Sequence, residues 1–281
     1  MAGRVKVAVV GHVEWVQFAH VERVPLVGEV VHARRAFAEP AGGGAVAAVK
    51  LARLAGGCVL YTALGEDEEG RRTLVRLAEL GVEVRASASA QPTRRAVTLL
   101  DAAGERTIIT VGARLEPFGE PGASRVLAEQ RFDAIYFTAG DAAALAAARE
   151  AARVLVVSPR AREATGHDVA LDALVLSAED RIERREAHRA EGEAELVVFS
   201  EGARGGHYEL RSGERGRWEA VAPPGPAVDS YGCGDSFAAG LTYGLGCGLP
   251  LAEALAVGAR CGAECLTFSG PYERRPDGRD V

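Results

Sequence analysis

A carboxylate stands inside a glycine-rich turn near the C-terminal end of the chain. The segment reads Asp229-Ser-Tyr-Gly-Cys-Gly-Asp235-Ser-Phe, and the apolar run Leu241–Leu245 after it is typical of a buried helix. Gly232 and Gly234 leave backbone amides unobstructed at the first helical turn, where free N–H groups and the helix dipole favour an anion. Beside a bound phosphate, Asp235 makes chemical sense as the base that accepts the proton of an attacking hydroxyl. The same residues also fit an ordinary helix start with an Asp cap, and the turn alone does not separate the two interpretations.

Other phosphate-binding sequences are absent from the chain. No Gly-Lys pair occurs, which excludes a Walker A loop. Gly232 and Gly234 are not continued by a third glycine at the spacing of a dinucleotide-binding turn, because Phe237 occupies that position. The His-Arg-Asp loop of protein kinases is also missing. The turn around Asp235 therefore carries most of the chemical information in the sequence.

The composition describes an acidic protein large enough for one sizeable core. Its 281 residues are 48% hydrophobic and carry a formal charge of −6, with 33 Lys and Arg residues spread along the chain. Such a distribution gives little support to a nucleic-acid groove. No run approaches the roughly 18 apolar residues of a membrane span, and no cleavage site follows Val5–Val10. We therefore expect a cytoplasmic protein without nucleic-acid or membrane partners.

The five cysteines predict free thiols in a reducing cytosol. They are odd in number and lack CxxC spacing, so a disulfide framework is not indicated. Cys261 and Cys265 stand four apart on an apparent helix, but no histidine lies at ligand spacing. We interpret them as small, buried, apolar side chains.

Apolar runs of strand length alternate with Ala- and Leu-rich stretches of helical spacing. This order predicts a mainly parallel sheet with helices on both faces and a ligand site at the carboxyl ends of its strands. The predicted strands are Val5–Val10, Cys58–Ala63, Ala134–Thr138, Val154–Ser158, Ala173–Leu176 and Leu196–Ser200. The predicted helices are Val46–Leu54, Glu68–Leu80, Ala142–Ala152 and Ala178–Ala190.

Two regions break this order and predict a small separate sheet. Residues 14–38 and 93–111 are extended and partly alternating, and the second region contains a hairpin turn at Ala102-Ala103-Gly104. We assign these two regions to a β lid and residues 1–13, 39–92 and 112–281 to an α/β core. A third hairpin, His207–Leu210 with Arg217–Val221, is expected to extend the core sheet. The charged segment Arg274–Val281 is expected to be frayed.

The glycine-rich turn resembles the second signature of the ribokinase/PfkB carbohydrate kinases, written D-T-x-G-A-G-D-x-F. Further matches follow the family's order along nearly the whole chain. They are Pro25-Leu-Val-Gly-Glu (P-x-x-G-E), Gly42-Gly43 through Gly56 (first signature), Gly65-Glu-Asp-Glu-Glu-Gly70 (G-x-D-x-x-G), Gly104-Glu-Arg (the lid turn G-E-R), Ser200-Glu-Gly-Ala-Arg-Gly205 (nucleotide loop T-x-G-x-x-G) and Ala256–Gly270 (C-terminal helix and turn). The resemblance implies a ribokinase-like three-layer α/β/α core with a mainly parallel sheet and a small β-sheet lid.

The resemblance also implies an ATP-dependent kinase and assigns residues to its parts. Asp235 is the expected catalytic base, and the amides of Gly232, Cys233 and Gly234 form the expected anion hole. The expected nucleotide-binding residues are Ser200, Gly202, Ala203, Arg204, Gly205 and Asp229. Arg204 equally fits a solvated surface arginine. Asp229 would position the turn and help to hold a monovalent cation such as K⁺, together with carbonyls near Ser269 and Gly270.

The residues expected at the substrate depart from the family pattern. By position they are Glu14, Val16, Gly42, Gly43, Ala47 and Arg95. Glu14 and Val16 replace the polar residues of the family's N-x-D, and Ala47 replaces an Asn. A site that discriminates by hydrogen bonds should then take a substrate other than ribose or fructose. Glu14 and His12 either bind a different group, such as an amine or a base, or are ordinary strand-end residues.

Two further departures concern the metal and the anion hole. The family's N-x-x-E appears as Ser177-Ala-Glu-Asp180, so Asp180 is expected to hold Mg²⁺ through water. The same residues fit a helix start in which Ser177 is the cap. Cys233 stands where the family mostly has Ala. At a helix N-terminus its thiol pKa is expected to fall, which would permit a redox switch; otherwise it is a tolerated small residue.

Taken together, these features predict a kinase that transfers the γ-phosphoryl group of ATP to a hydroxyl of a small polar substrate, with a sugar or sugar derivative first among the candidates. A nucleoside kinase of the same fold is one alternative, with Trp15 and Phe18 available to stack a base. A non-catalytic nucleotide- or sugar-binding sensor is the other. The resemblance further implies a homodimer formed through the lid.

Overall fold

The computed structural model describes residues 4–118, 122–162 and 164–272, which form thirteen strands and seven α-helices. The strands are β1 (Val7–Val10), β2 (Glu14–His20), β3 (Arg35–Ala41), β4 (Cys58–Gly65), β5 (Val82–Ser89), β6 (Arg95–Leu100), β7 (Arg106–Val111), β8 (Phe132–Phe137), β9 (Ala152–Val157), β10 (Ala173–Ser177), β11 (Leu196–Ser200), β12 (Gly206–Leu210) and β13 (Arg215–Trp218). The helices are α1 (Gly43–Ala55), α2 (Glu68–Glu79), α3 (Arg125–Ala128), α4 (Ala142–Ala151), α5 (Arg181–Ala187), α6 (Cys233–Gly246) and α7 (Leu251–Cys265). The C-terminal segment predicted to be frayed lies outside the described residues.

Nine strands form one core sheet in the order β13-β12-β11-β10-β9-β8-β1-β4-β5. The seven strands from β11 to β5 in this order pair in parallel, and β12 and β13 extend the sheet as an antiparallel hairpin. In β1, Val7 and Val9 pack into the core on one face, whereas Ala8 and Val10 pack on the other. A strand buried on both faces has no polar side, which explains its continuous apolar sequence.

Helices cover both faces of the core sheet and confirm the predicted three-layer α/β/α architecture. Helices α1, α2, α6 and α7 pack on the face of Val7 and Val9, and α3, α4 and α5 pack on the opposite face. Local capping fixes where two of them begin. The Asp67 carboxylate accepts the Gly70 N–H at 2.8 Å at the start of α2, and Asp141 does the same for Ala144 in α4.

Most predicted elements of the core are present with shifts of a few residues. The hairpin predicted after Leu196–Ser200 does extend the sheet, as β12 and β13. Two predictions need correction. The edge strand β5 was not predicted, because only one edge of it is paired and its sequence alternates with polar residues. The helix predicted over Ala178–Ala190 is shorter, because Asp180 caps α5 and the chain leaves helical geometry after Ala187.

A second sheet of four strands, in the order β3-β2-β6-β7, forms the predicted small β lid. It contains the expected regions, and β3 continues to Ala41, three residues beyond the predicted boundary. The inner face of the lid packs on the core body. Phe18 and Leu100 are almost completely buried there against Val46 of α1 and Tyr231 of the glycine-rich turn. The lid sheet therefore rests on the same turn that carries Asp235.

The strand order reverses beside β1. The chain runs from β1 to β4 and β5 on one side and later returns to β8 on the other. In parallel α/β sheets, ligands bind at the carboxyl ends of the strands at such a switch point. Gly11 and His12 follow β1 there, and Thr138 follows β8. The residues after β1, β8, β9, β10 and β11 therefore line one edge of the molecule.

Candidate active site

The glycine-rich turn forms the N-terminus of α6. Gly232 precedes the helix with φ of 80°, a left-handed conformation that strongly favours glycine. A Cβ atom at this position would also lie 2.9 Å from Cγ1 of Val46. At Gly234, by contrast, an added Cβ would meet no atom within 4 Å among the described residues. The helix N-terminus therefore faces open space at Gly234, as an anion site requires.

Asp229 fixes this turn in place. Its Oδ1 accepts the Tyr231 N–H at 2.9 Å, and its Oδ2 accepts the Gly270 N–H at 2.8 Å. The side chain thus joins the turn before α6 to the loop after α7. Burial raises the pKa of Asp229 to about 6, with the two N–H donors opposing the shift. The two N–H donors do not offset the cost of burying this charge. A buried carboxylate of this kind fits the chemistry of a monovalent cation site near Gly270.

Asp235 is the third residue of α6 and is not its cap. The N-terminal position belongs to Gly232, and no side chain caps the helix there. The carboxylate of Asp235 instead faces α1, where an added Cβ on Gly43 would lie 2.9 Å from Oδ1. Burial raises the pKa of Asp235 to about 6, while the Arg160 charge opposes the shift and Glu183 adds to it. Asp235 is therefore not the helix cap that one of the two interpretations required.

Close backbone approaches bring α1 to the end of β1. A Cβ at Gly44 would lie 2.6 Å from the His12 carbonyl oxygen, and one at Gly11 would lie 2.7 Å from the Gly44 Cα. Only glycine allows this contact, so the Gly42-Gly43-Gly44 segment sets the first turn of α1 directly against the strand end. Gly42 and Gly43, both expected at the substrate, therefore lie between His12 and Asp235.

His12, Glu14 and Arg94 form a buried polar group at the lid-facing end of the site. Glu14 Oε1 lies 3.2 Å from Arg94 Nη1 and 3.7 Å from His12 Nε2. Burial, together with the charges of Arg114, Arg94 and Arg160, lowers the pKa of His12 to about 3. Burial raises the pKa of Glu14, while the same three arginines oppose that shift. His12 is therefore neutral, and the local potential is positive.

Three other residues expected at the substrate occupy different environments. Val16 packs in the core between the lid and the body, and Ala47 is fully buried inside the helical layer. Arg95 is exposed, whereas its neighbour Arg94 turns inward and pairs with Glu14. Successive side chains of a strand point to opposite faces, so the arginine brought to the site is Arg94.

Trp15 and Phe18 do not form a platform for a base. They are three residues apart on β2 and therefore lie on opposite faces of the lid sheet. Arg72 lies over the Trp15 ring at 4.4 Å from its centroid. Phe18 is buried between Phe37, with ring centroids 5.0 Å apart, and Tyr231, at 4.9 Å. The stacking role considered for these two residues is not supported by their positions.

The predicted nucleotide loop follows β11 at the same edge of the sheet. Ser200 ends the strand and donates its hydroxyl to the Leu176 carbonyl at 3.3 Å. Gly202, Ala203 and Arg204 form a short 3₁₀ turn that Gly205 closes with φ of 77°. The Arg204 side chain is exposed and pairs with Glu179 at 2.9 Å. The loop therefore lies beside the residues that follow β10.

Asp180 caps α5 and contacts Arg160. Its Oδ1 accepts the N–H groups of Ile182 and Glu183, and its Oδ2 lies 2.8 Å from Arg160 Nη2. The cap is thus Asp180 rather than Ser177, whose hydroxyl accepts only the Glu179 N–H at 3.3 Å. Carboxylate oxygens suit Mg²⁺, but both oxygens here already accept hydrogen bonds. Asp180 therefore fits a metal held through water, and no group of three potential metal ligands occurs among the described residues.

The Cys233 thiol does not have the environment predicted for it. A hydrogen bond with the Cys265 thiol and burial both raise the pKa of Cys233. Cys265 also lies near the turn, with its sulfur 3.3 Å from the Tyr231 carbonyl oxygen. The expected fall in the Cys233 pKa is therefore wrong, because the neighbouring thiol and the apolar surroundings outweigh the helix N-terminus. All five cysteines are free, as expected.

Three arginines at the site were not identified from the sequence. Arg160 follows β9 and pairs with Glu183 at 2.6 Å as well as with Asp180. Arg114 donates to the Arg160 carbonyl at 3.0 Å. Arg106, in the lid turn, donates to the Ser230 carbonyl at 2.9 Å and to its hydroxyl at 3.0 Å. Only Arg106 had a signal in the sequence, the G-E-R turn of the lid.

Within the described parts of the chain, none of the helices combines the length and the apolar character needed to cross a lipid bilayer.

Comparison with known proteins gives a family for the chain. Residues 4–174 and 161–277 match the sequence profile of the pfkB family carbohydrate kinases. An acarbose 7(IV)-phosphotransferase from Actinoplanes sp. is 48% identical over 54 residues, 19% of this chain and 18% of that protein. Ribokinase from Dictyostelium discoideum is 31% identical over 108 residues, 38% of this chain and 34% of that protein. The chain thus aligns with about a fifth and a third of the lengths of these relatives.

Solved structures share the fold at low sequence identity. Ribokinase from Giardia lamblia superposes with a TM-score of 0.75 at 18% identity, covering 96% of this chain and 95% of that one. Ribokinase from Arabidopsis thaliana, complexed with ribose and ATP, gives 0.72 at 18%, covering 99% and 96%. A nucleoside kinase from Methanocaldococcus jannaschii gives 0.70 at 15%, covering 96% and 94%. With this fold and a profile match over nearly its whole length, the chain belongs to the pfkB family of carbohydrate kinases.

Proposed function

We propose that this protein transfers the γ-phosphoryl group of ATP to a hydroxyl of a small polar molecule, a sugar or sugar derivative. The observation that carries the proposal is the position of Asp235. Its carboxylate lies in the first turn of α6, beside the open N-terminus at Gly234 and against Gly43 of α1. The proposed compartment is the cytoplasm, since all five cysteines are free thiols.

In this proposal Asp235 accepts the proton of the attacking hydroxyl. Burial raises its pKa to about 6, so the group is mainly ionised at neutral pH and yet more basic than an ordinary aspartate. A base of this strength suits the removal of a proton at physiological pH. The hydroxyl would lie between Asp235 and the open face of Gly234, in line with the incoming phosphoryl group.

The amides at the start of α6 stabilise charge on the transferred group. An added Cβ at Gly234 would meet no atom within 4 Å among the described residues, and the Cys233 amide makes only a long contact of 3.4 Å to the Ser230 carbonyl. Unpaired N–H groups and the helix dipole together favour an anion at this position. Gly232, through its left-handed backbone, presents the amides in this orientation. The loop of residues 200–205 binds the nucleotide at the adjoining strand end.

Two metal ions are part of the proposal. Asp180 would hold Mg²⁺ through water, and the metal would supply charge neutralisation on the phosphates of ATP. K⁺ would lie near the buried Asp229 and the Ser269–Gly270 carbonyls, where it compensates a carboxylate whose pKa burial has raised. Asp229 otherwise holds the turn through Tyr231 and Gly270.

The test is a coupled ADP-release assay with ATP, Mg²⁺ and K⁺ across sugars, sugar derivatives, nucleosides and small alcohols. We expect turnover that depends on the acceptor and falls at least about 1,000-fold in Asp235→Asn, while ATP still binds that variant. Retained turnover in Asp235→Asn would remove Asp235 from its role as base. ATP and sugar binding without any turnover would instead indicate a non-catalytic sensor, and selective turnover of nucleosides would indicate a nucleoside kinase.

We also propose that two copies of the chain associate through their lids. The strand β7 is an unpaired edge of the lid sheet and is exposed along its whole length. It displays Ile108 and Ile109, which are 44% and 57% exposed. An exposed apolar edge strand is usually covered in the native assembly. Sedimentation analysis tests the proposal: wild type is expected as a dimer, and Ile109→Glu as a monomer.

A further inference from the structure

Three buried polar atoms around the end of β1 have no hydrogen-bond partner among the described residues. They are His12 Nδ1, Arg94 Nε and Thr138 Oγ1. His12 is 9% exposed and Thr138 is 1% exposed. A buried polar atom without a partner costs free energy, so groups of this kind usually meet a ligand or an ordered water. Three of them at one place indicate a polar ligand between the lid and α1.

The guanidinium groups around this place favour an anion. The groups that act on both His12 and Glu14 are the guanidinium groups of Arg94, Arg114 and Arg160, all of which lower the two pKa values. Burial holds His12 neutral, so its ring presents a hydrogen-bonding nitrogen without a charge. Carboxylates already pair with all three guanidinium groups: Glu14 with Arg94, Glu116 with Arg114, and Asp180 and Glu183 with Arg160. The Nε of Arg94 keeps a free N–H donor. A carboxylate or phosphate oxygen can accept from this donor, whereas a cationic amine cannot.

Arg94 is the guanidinium best placed to bind such a group. It is half-buried on the inner face of the lid, where Nη1 pairs with Glu14 at 3.2 Å and Nε is left without a partner. The free donor is fixed in direction, because the Glu14 contact holds the other edge of the planar group. An oxyanion could therefore accept from Nε while Glu14 keeps the guanidinium oriented. Arg114 adds a second positive charge, although its own side chain pairs with Glu116.

Asp235, Thr138 and His12 lie around the same two neighbouring residues, Gly42 and Gly43. Asp235 and Thr138 both lie next to the Cβ position of Gly43, at 2.9 and 3.3 Å. The His12 ring lies 3.2 Å from the Cβ position of the preceding residue, Gly42. Neighbouring Cα atoms are about 3.8 Å apart, so one small molecule bound beside Gly42 and Gly43 could contact all three side chains.

We infer that the acceptor is an acidic sugar derivative, whose reactive hydroxyl lies at Asp235 and whose carboxylate or phosphate is bound by Arg94. His12 and Thr138 hydrogen-bond the hydroxyl groups on the carbon chain between these ends. This inference rests on the proposed kinase function and names its substrate class. The sequence had suggested an amine or a base beside His12 and Glu14; the inferred ligand group there is instead an anion.

The experiment compares acceptors that differ only at one end of the carbon chain. The probes are five- and six-carbon aldonates and sugar phosphates, their neutral parent sugars and the corresponding amino sugars, in the coupled assay. We expect one acidic compound to exceed its neutral parent at least about 100-fold in kcat/KM. Preference among aldonates indicates a carboxylate site, and preference among sugar phosphates indicates a phosphate site. Faster turnover of a neutral or amino sugar than of every acidic one overturns the inference and leaves the kinase function standing.

Variants of Arg94 test the residue itself. Arg94→Gln is expected to raise KM for the acidic acceptor by about 100-fold with kcat within about threefold, and to raise KM for the neutral parent by no more than about tenfold, through the loss of the Glu14 contact. Arg94→Lys is expected to recover part of the loss, because it restores the charge without the planar fork. Arg71→Gln, which removes an exposed arginine from α2, is the control. Equal losses for the acidic and the neutral acceptor would show a structural role only and overturn the assignment.

A binding measurement separates the two proposals. Calorimetry with Asp235→Asn follows the acidic acceptor without turnover. Binding that is lost in Asp235→Asn/Arg94→Gln supports the acidic ligand even where wild type transfers no phosphoryl group, in which case only the kinase function fails. No binding of any aldonate or sugar phosphate, in a variant that circular dichroism shows to be folded, overturns the inference.

Discussion

Gly43 and Asp235 are in direct apposition: a Cβ atom on Gly43 would lie 2.9 Å from Oδ1 of the carboxylate. The two residues belong to the first turns of α1 and α6, which the two glycine-containing signatures of the chain form. Because both helices begin at the same edge of the sheet, the absence of a side chain on one provides the space for the carboxylate of the other. The position of the proposed base thus depends on α1 as much as on α6.

Gly43→Ala is therefore expected to reduce kcat at least about 100-fold. The added methyl group displaces the Asp235 carboxylate, and small displacements of a base are costly in rate. Stability should change little, because alanine is favoured over glycine within a helix by about 1 kcal/mol and offsets part of the contact. Steady-state kinetics and thermal unfolding measure the two effects, with Gly192→Ala, where a Cβ meets no atom within 4 Å among the described residues, as control. Normal kcat in Gly43→Ala would show that the carboxylate has another position during catalysis.

The activity should depend on pH through Asp235. Since burial raises its pKa to about 6 and the base must be ionised, kcat/KM is expected to fall about tenfold per unit as the pH drops below 6. The Arg160 charge is the largest influence that opposes the rise in the Asp235 pKa. Arg160→Gln should therefore shift the acidic limb of the pH profile to higher pH by about one unit. Arg162→Gln removes an exposed arginine two residues away and should leave the limb in place. An unchanged limb in Arg160→Gln would place another group in control of the profile.

Asp235→Asn should stabilise the protein at high pH. A buried carboxyl whose folded pKa lies above its unfolded value of 3.8 costs stability where it is ionised, and the cost disappears as the pH falls through 6 towards 4. We expect the variant to gain on the order of 2 kcal/mol in free energy of unfolding at pH 8, and almost nothing at pH 4. Urea denaturation at both pH values measures the difference. An equal gain at pH 4 and pH 8 would exclude ionisation as its origin.

Two alanine variants test separately the backbone shape of the turn and its proposed anion hole. Gly234→Ala puts a methyl group into the open space at the helix N-terminus, so we expect normal stability and at least about 100-fold slower phosphoryl transfer. Gly232→Ala forces a left-handed residue and a contact with Val46, so it should lose about 1–2 kcal/mol of stability as well as activity. Chemical denaturation and the coupled assay are run on both. Full activity in Gly234→Ala would place the transferred phosphoryl group elsewhere.

The architecture could be predicted because individual segments of the sequence indicate their structure clearly. Continuous apolar runs such as Val5–Val10 arise from burial on both sheet faces, and the glycine-rich turn shows directly as sequence. The edge strand β5 has one paired side and one exposed face, so its residues alternate and its signal is weak. The start of α5 depends on which of two residues, Ser177 or Asp180, is the N-cap of the helix. Both residue types favour that position.

Side-chain assignments failed where they depended on the face of a strand. The sequence does not show which of the neighbouring residues Arg94 and Arg95 faces the site. Only the register of β6 decides which side chain turns inward. Trp15 and Phe18 could have been separated, because residues three apart in a strand lie on opposite faces. Arg160 follows a strand in an irregular loop, where no periodicity predicts the direction of a side chain. Its partners, Asp180 and Glu183, come from the next strand–helix connection and meet it only in the folded chain.

The Ser230 carbonyl accepts hydrogen bonds from both the lid and the catalytic turn. Arg106 donates to it at 2.9 Å, and the Cys233 amide approaches it at 3.4 Å. If a phosphate binds the Cys233 amide as proposed, this carbonyl is left to Arg106 alone, which would strengthen the contact with the lid. By reciprocity, a lid held by Arg106 would free the amide for the phosphate. Under the proposed function, one backbone oxygen would therefore couple phosphate binding at α6 to the contact between the lid sheet and the glycine-rich turn.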